Sequence, residues 1–328
     1  MRIAIDAMGG DHAPEEIIKG SLAVLDLEPE LHIILVGNEE IIKNHLPQGL
    51  DTNRYSIVHC TEVIEMADHP ATTYRRKKDA SITVATRLVK EGQAQAVVSA
   101  GNTGGQMVAA LFGLGRIKGV DRPAIGTVFP TLQGPKLLLD AGANTDCKPE
   151  NLVQFAQMGQ VYAQQMLGIN NPVVKLVSNG TEETKGNELV IKTHELLKDL
   201  PGLNFQGNIE GRDVLSGEAD VMVCDGFIGN TILKVIEGTA LSIFTLLKEE
   251  IDKSARNKLG AFMLYPALKA LKKRMDYSAY GGAPLLGVKG VSIICHGSSK
   301  ASAITNAVKA AMECVKNDFV DALTKSVE

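Results

Sequence analysis

Short apolar runs rich in Val and Ile alternate along this chain with segments whose apolar residues repeat at helical spacing. The runs predict strands near residues 2–7, 32–36, 55–59, 95–99, 124–129, 136–140, 173–178, 203–208, 220–224 and 291–295. The periodic segments predict helices near residues 14–25, 39–45, 81–91, 103–112, 149–167, 184–198, 227–252, 266–275 and 299–322. Strands that alternate with helices form βαβ units, so we expect an α/β fold with three αβα layers and a mostly parallel sheet.

Three predicted strands run directly into a glycine-containing turn that opens a helix. The turns lie in the stretches 97–108, 221–230 and 291–300. Backbone N–H groups at a helix start point outward and carry partial positive charge, so they favour anions. One such turn is common in open α/β folds, whereas three together predict an anion site at the carboxyl ends of the strands.

The common nucleotide fingerprints do not accompany these turns. The chain has no G-x-x-x-x-G-K-[ST] segment and no G-x-G-x-x-G segment between a strand and a helix. The sequence therefore disfavours a P-loop nucleotidase and an ordinary dinucleotide enzyme. It also lacks a G-x-S-x-G segment, which disfavours a serine hydrolase.

The composition is that of a globular protein. Its 328 residues are 45% hydrophobic, enough for two lobes, and the net charge of −4 disfavours nucleic-acid binding. No signal peptide precedes the first strand and no apolar run reaches the ~18 residues of a membrane span, so we expect a cytoplasmic protein. Five cysteines without a C-x-x-C pair disfavour disulfides and a zinc knuckle.

Charge is unevenly distributed, since residues 253–275 carry +7 and the rest of the chain −11. The predicted helix 227–252 has apolar residues on more than one face, so we expect the hairpin 227–275 to form a homodimer. The apolar stretch 259–265 precedes Pro266, which favours a helix start. We expect this stretch to be the exposed tip of the hairpin, and the alternative is a place in the core or in the dimer contact.

Basic residues beside an exposed apolar tip suit anionic lipid headgroups, and they also suit an acidic carrier protein. We therefore expect a peripheral membrane contact. The candidate contacts for membrane or carrier protein are Lys258, Phe262, Leu264, Lys269, Lys272, Lys273 and Arg274.

Further polar residues stand at predicted strand ends. Asp11 is a candidate helix cap, and the alternative is that its neighbours Asp6 and His12 reach the cleft mouth as acid–base or leaving-group residues. Arg212 offers the planar donor fork that suits phosphate, and its alternative is a surface salt bridge. Asp140 and Asn144 lack a second and third carboxylate at recognisable spacing, so we expect no metal site.

Seven segments in order along nearly the whole chain strongly resemble the PlsX-type phosphate acyltransferases of bacterial phospholipid synthesis. They are DAMGGD at 6–11, SAGNTG at 99–104, DAGAN at 140–144, GNIEGRD at 207–213, DGFIGN at 225–230, YGGAPLLG at 280–287 and HGSS at 296–299. The resemblance implies reversible acyl transfer from acyl-[acyl carrier protein] to inorganic phosphate. The acyl phosphate would then feed a downstream glycerol-3-phosphate acyltransferase.

The resemblance also implies a homodimer with the isocitrate/isopropylmalate dehydrogenase-like fold, with two lobes around a cleft. We expect residues 1–328 to form one phosphate acyltransferase unit that needs no cofactor. Its approximate lobes are 1–125 plus 276–328, and 126–275.

From motif placement, we predict that phosphate lies among the three helix-start turns. The candidate phosphate-binding residues are Asn102, Thr103, Gly104, Gly229, Gly297, Ser298, Arg212 and Asp11. The candidate catalytic residues are His296, Asn230 and Asp225. His296 would protonate the leaving thiolate or polarise the carbonyl. Cys224 and Cys295 lack a convincing base and phosphate is already ionised, so we expect direct attack without an acyl-enzyme.

Two alternatives belong to other functional classes. A metal- and NAD-dependent decarboxylating dehydrogenase could use the same fold, although the chain lacks a carboxylate cluster at recognisable spacing. A non-catalytic adaptor could bind the carrier protein or the membrane surface without forming acyl phosphate.

Overall fold

The computed structural model describes residues 1–275 and 280–327, apart from the side chains of Ala71 and Lys273. Within these residues, 11 strands form one sheet. The strands are β1 (Arg2–Asp6), β2 (His32–Gly37), β3 (Tyr55–His59), β4 (Ala96–Ser99), β5 (Ala124–Thr131), β6 (Gly134–Leu139), β7 (Val174–Ser178), β8 (Phe205–Glu210), β9 (Val221–Val223), β10 (Ala283–Leu286) and β11 (Val291–Ile294).

Helices cover both faces of this sheet. They are α1 (Glu15–Ala23), α2 (Glu39–Asn44), α3 (Pro70–Arg76), α4 (Ser81–Lys90), α5 (Thr103–Gly113), α6 (Pro149–Met166), α7 (Glu188–Lys198), α8 (Gly226–Asp252), α9 (Ala255–Met275), α10 (Ala301–Lys316) and α11 (Phe319–Val327). Alternate residues of one strand face different layers, since Ile3 and Ile5 pack in the cluster that contains α1 and α10, whereas Ala4 packs against α4. The three-layer α/β fold is confirmed.

The strand order is β3-β2-β1-β4-β11-β10-β5-β6-β9-β7-β8. Pairing is parallel in the first five strands and in the last four, and it is antiparallel from β11 through β10 and β5 to β6. The two parallel halves therefore run in opposite directions. Following the register across these antiparallel pairs places Ile294 and Leu139 at nearly the same level. The carboxyl ends of both halves thus meet at the middle of the sheet.

The hairpin differs from the sequence expectation at its tip. We expected a helix from Pro266, but α9 begins at Ala255 and contains Pro266. Ser254 supplies an earlier helix-start signal, because its hydroxyl accepts a hydrogen bond from the Asn257 N–H (3.1 Å). The turn thus lies at residues 253–254, and the apolar stretch 259–265 belongs to the body of α9, which corrects our prediction that this stretch forms the tip.

Helix α8 has the length and apolar composition that a membrane span requires, and it is largely unburied. Its first turns nevertheless pack on the sheet, where Leu233 and Ile236 contact the apolar cluster around Met222. The apolar residues exposed along the hairpin include Val235, Leu241, Ile243, Leu246, Leu259, Phe262, Met263, Leu264 and Tyr265. An apolar surface of this extent is typical of a contact with a partner or a membrane.

Candidate active site

A cavity of about 610 Å³ lies where the carboxyl ends of the two half-sheets meet. Its walls come from the start of α5, from β5, from one face of α8, and from the segment that joins β11 to α10. Of the predicted site residues, those in the cavity lining are Thr103, Asn230, His296 and Ser298. The size suits a small-molecule site.

Asn102 caps α5 and uses its amide inside the protein. Its side-chain oxygen accepts a hydrogen bond from the Gly105 N–H (2.8 Å). Its amide donates to the carbonyls of Glu65 and Met66, both at 3.0 Å. The amide therefore anchors a neighbouring loop, and the structure does not bring it to the cavity as a phosphate donor.

Two residues in the first turn of α5 have different surroundings. Thr103 lines the cavity, so the positive end of α5 faces it. Gly104 instead lies against Pro70, whose ring would clash with any added side chain. Gly104 thus allows α3 to approach α5 closely, and only Thr103 of this pair reaches the cavity.

The start of α8 is occupied by hydrogen bonds from within the protein. Asp225 caps the helix, because its carboxylate accepts from the Ile228 N–H (2.9 Å). The Gly226 N–H donates to the carbonyl of Asn144 (2.7 Å). These bonds satisfy N–H groups that an anion would otherwise bind. Asp225 therefore holds the helix start, and it lies outside the cavity lining.

Asp140 holds the turn beside α8. Its fully buried carboxylate accepts hydrogen bonds from the N–H groups of Ile125 (3.0 Å), Ala143 (2.9 Å) and Asn144 (2.8 Å), and from the Asn144 amide (2.8 Å). Burial raises the pKa of Asp140, while these donors act in the opposite direction. The donors occupy both oxygens, so Asp140 is committed to this turn.

Gly229 and Gly142 let α8 approach that turn. A side chain at Gly229 would overlap the carbonyl oxygen of Asp140. Gly142 has a φ of 135°, which favours glycine. A side chain added there would lie 3.6 Å from the Cβ of Asn230. Gly229 is therefore a packing residue that places Asn230, and Asn230 itself lines the cavity.

His296 lies within a line of polar side chains in the cavity. Its Nε2 is 3.2 Å from Lys234 Nζ, and its Nδ1 is 2.8 Å from Ser298 Oγ. Lys234 also pairs with Glu237 (2.9 Å) one turn further along α8. Two obligate donors thus face the ring, the Lys234 ammonium at Nε2 and the Ser298 N–H at Nδ1 (3.2 Å), while the Ser298 hydroxyl can donate or accept. His296 is therefore held by contacts at both ring nitrogens, with Nε2 directed toward Lys234.

Charged residues in the cavity lining leave an excess of one positive charge. Lys234 and Lys300 line it together with Glu237. The same lining contains two hydroxyl residues, Thr103 at the positive end of α5 and Ser298. A small anion such as phosphate fits this charge and these donors.

Asp11 lies beside the turn that carries His296, with its N–H donating to the carbonyl of Gly297 (2.8 Å). The N-cap position of α1 is Pro14, so the capping alternative for Asp11 is wrong. A side chain added at Gly297 would lie 3.4 Å from the carboxylate of Asp11. Asp6 is buried and accepts from Ser99 Oγ (2.7 Å), so it braces the end of β4 and does not reach the cleft mouth.

Arg212 forms a surface salt bridge, which is the alternative to phosphate binding that the sequence left open. Its guanidinium pairs with Glu210 (2.6 Å) and approaches Asp213 (3.6 Å), with 78% of its side chain exposed. The structure places it in a surface ion pair and does not include it in the cavity lining.

Two of the basic residues on the hairpin have partners. Lys258 pairs with Asp252 (3.4 Å). Arg274 donates to the carbonyl of Leu132 (2.9 Å) and so fastens the end of α9 to the β5–β6 turn. These two cations are therefore less available to an external anion than the sequence suggested.

The other predicted contacts of the hairpin are open to solvent. Phe262 is 78% exposed and Leu264 is 59% exposed. Lys269 and Lys272 are also exposed, and the side chain of Lys273 lies outside the described residues. The apolar and basic side chains thus share an accessible surface on α9.

The cysteines near the cavity are poor nucleophiles. Burial raises the pKa of Cys295 to about 12, and burial with the neighbouring Asp140 raises the pKa of Cys224 well above its usual value. The thiol is therefore the stable form of both at neutral pH, whereas the thiolate is the nucleophile.

We predict that Cys224→Ala and Cys295→Ala both retain acyl transfer, within about threefold of the wild-type rate. The variants lose a buried sulfur but no reacting group. Steady-state turnover, compared at equal folded fraction by circular dichroism, measures this. A loss of more than about a hundredfold in a folded variant would identify that cysteine as a nucleophile.

Lys234 is a charged residue of the cavity that the sequence did not predict. A lysine in a long helix is ordinarily solvated, and no motif marks this one. Its spacing of four residues from Asn230 places both on one helix face, and this spacing was the available signal.

Comparisons with known proteins match nearly the whole length of the chain. The model of a family described as "Fatty acid synthesis protein" matches residues 1–322. The chain is 58% identical to a phosphate acyltransferase of Desulfitobacterium hafniense, over 100% of this chain and 97% of that protein. It is also 56% identical to a phosphate acyltransferase of Heliobacterium modesticaldum, over 100% and 98%.

A solved phosphotransacetylase from Streptococcus pyogenes shares the fold, with a TM-score of 0.64 at 17% identity over 100% of this chain and 94% of that one. At this identity the structural likeness concerns the fold alone. The family model and the full-length relatives together establish the kinship. The chain belongs to the PlsX-type phosphate acyltransferase family.

Proposed function

We propose that this chain transfers a fatty acyl group from acyl-[acyl carrier protein] to inorganic phosphate, in the cavity between α5, α8 and the segment that follows β11. The observation that supports this most is the pairing of His296 Nε2 with Lys234 Nζ at 3.2 Å in a cavity with excess positive charge. Phosphate binds through Lys234, Asn230 and Ser298, near the positive end of α5.

The proposed reaction balances without an external proton donor. An oxygen of hydrogen phosphate forms a bond to the thioester carbonyl carbon, and the carbon–sulfur bond breaks. His296 Nε2 accepts the proton that the phosphate loses and delivers it to the leaving thiolate. Asn230 and Lys234 stabilise the oxyanion that develops on the carbonyl. Holding both reactants in one cavity supplies the remaining rate through proximity.

The test is phosphate-dependent formation of acyl phosphate by the purified protein. Acyl-[acyl carrier protein] and phosphate are mixed with hydroxylamine, which traps acyl phosphate as the hydroxamate. Hydroxamate above the background given by the thioester without phosphate is the expected product. Its absence, with intact thioester and folded protein, would reject the proposal.

Family membership favours acyl transfer over the two alternatives. Reduction of NAD in the presence of a hydroxy acid would support the dehydrogenase alternative. Tight binding of the carrier protein without acyl phosphate formation would favour the adaptor. The isocitrate/isopropylmalate dehydrogenase-like fold stays a proposal, as do the lobes 1–125 plus 276–328 and 126–275. The two oppositely directed half-sheets support both.

We also propose that the hairpin of α8 and α9 forms a homodimer and a peripheral contact with anionic membrane, which would deliver acyl phosphate to a glycerol-3-phosphate acyltransferase there. The exposed apolar residues of α8 support the dimer. Phe262, Leu264 and Lys269 of α9 support the membrane contact. Cytoplasmic protein would then bind membranes reversibly, and sedimentation equilibrium would report the dimer.

Leu264→Glu is expected to weaken binding to anionic vesicles about tenfold, because it removes one apolar contact and adds a negative charge. Raised salt is expected to weaken wild-type binding as well. Co-sedimentation measures both effects, and soluble activity should be largely unchanged. Leu132→Glu is the matched control, since Leu132 is 77% exposed in the β5–β6 turn. Binding insensitive to both salt and Leu264→Glu would refute the membrane contact.

A further inference from the structure

A second, small cavity lies beside the active-site cavity. Its lining is almost entirely apolar and comprises Phe129, Pro130, Leu233, Ile236, Ala240 and Met275, with Glu237 as the polar exception. Leu233 and Glu237 line both cavities. The second cavity therefore adjoins the first, with Leu233 and Glu237 at the boundary between them.

Both cavities lie along one face of α8 and one strand. On α8, Asn230 and Lys234 face the first cavity, Glu237 faces both, and Ala240 faces the second. These positions repeat at helical spacing and cover about 15 Å at 1.5 Å per residue. On β5, the lining residues run from Ile125 in the first cavity to Pro130 in the second, a similar length of about 17 Å at 3.3 Å per residue. The same strand and helix thus line both cavities and define the path from one to the other.

The polarity of this path changes along its length. Polar and charged side chains lie at the end near His296, and Glu237 turns its carboxylate back to Lys234 (2.9 Å). Beyond Glu237 the lining is apolar, with the fully buried Phe129 on the sheet side. A ligand with a polar reacting end and a long apolar tail matches this order.

We infer that the fatty acyl chain of the substrate lies between α8 and β5, with its carbonyl at His296 and its tail in the second cavity, and that Ala240 sets the accepted chain length. This rests on the proposed function, and it assigns a subsite that the transfer chemistry alone does not need. An acetyl group would end inside the first cavity, whereas the description of the matching family names fatty acid synthesis.

The second cavity is narrow, at about 30 Å³, which is the share of one water in the liquid. Entry of an acyl chain therefore requires Leu233 and Ile236 to change rotamer, and both side chains are only half-buried. Ala240 has the smallest side chain of the lining, so a larger residue there would close the path without touching the residues that hold phosphate.

The test compares Ala240→Phe with Thr239→Phe, because Thr239 is the exposed neighbour on the same helix. Each variant is given butyryl and palmitoyl thioesters of the acyl carrier protein. For Ala240→Phe we expect kcat/KM to fall at least about tenfold with palmitoyl and to stay unchanged with butyryl. Thr239→Phe should match the wild type with both. Ala240→Leu is a milder variant in case the phenylalanine prevents folding, with a change of the same sign.

A second readout does not require turnover. Titration with a fluorescent long-chain fatty acid should show binding to wild type and Thr239→Phe, and binding about tenfold weaker to Ala240→Phe. If this difference holds while no variant forms acyl phosphate, the chain subsite stands and the proposed function fails. Two results would overturn the inference. One is fatty-acid binding that is unchanged in Ala240→Phe, and the other is an equal loss of kcat/KM with the butyryl and palmitoyl thioesters. A changed oligomeric state with an unchanged palmitoyl-to-butyryl ratio would assign the second cavity to the dimer contact instead.

Discussion

Gly229→Ala is expected to destabilise the fold by about 3 kcal/mol and to lower the rate of acyl transfer about 100-fold. The added methyl group would overlap the carbonyl oxygen of Asp140, which is backbone and cannot rotate away. Asp140 is itself fixed by its buried hydrogen bonds. The start of α8 must therefore move, and Asn230 and Lys234 move with it. Chemical denaturation and steady-state turnover measure the two effects.

Gly238→Ala is the matched control for this substitution. Gly238 lies in the same helix, and a side chain there meets nothing within 4 Å. Alanine in place of an exposed helical glycine should stabilise the protein by about 0.5–1 kcal/mol and leave turnover intact. A Gly229→Ala variant that melts and turns over like the wild type would show that the close approach of α8 to Asp140 is not required.

His296→Ala and Asn230→Ala are each expected to lower kcat about 10²–10³-fold while the fold is retained. His296 loses the group that moves the proton, and Asn230 loses a donor to the developing charge. Both side chains line the cavity, and neither supports the core. Rates of acyl phosphate formation, with circular dichroism as the check on folding, measure this.

Thr231→Ala controls for a general effect of substitution at the start of α8. The Thr231 hydroxyl donates to the Phe227 carbonyl one turn earlier and faces away from the reaction, so we expect near wild-type turnover. If His296→Ala and Asn230→Ala also retain near wild-type turnover, the assignment of these two residues is wrong.

Most strands and helices could be predicted from the sequence because their apolar period is long enough to define them. Two short elements could not. Strand β10 follows two glycines and has Pro284 as its second residue, a combination that is typical of a turn. Antiparallel pairing with β5 and β11 nevertheless holds these residues in the sheet. Helix α3 consists largely of polar residues and has little apolar period. The predicted helix 299–322 divides into α10 and α11 at Asp318, whose φ of 47° interrupts any helix.

The candidate site was predictable only in part. The glycine turns located it, because parallel strands bring their carboxyl ends together. The roles of individual residues in these turns were less predictable. Asn and Asp are typical of helix caps as well as of phosphate contacts, and Asn102 and Asp225 both act as caps here. In the sequence, Lys234 is marked only by its spacing from Asn230, and its contact with His296 depends on the packing of α8 beside the segment that carries His296.

Direct attack by phosphate is the central claim, and a rapid-quench single-turnover experiment tests it most directly. Enzyme in excess is mixed with acyl-[acyl carrier protein], with and without phosphate, and intact-protein mass spectrometry follows the acyl group. We predict that without phosphate the acyl group stays on the carrier protein, and that with phosphate the free carrier thiol and acyl phosphate appear at the same rate. An enzyme that gains the mass of the acyl group before phosphate is added would contradict the account.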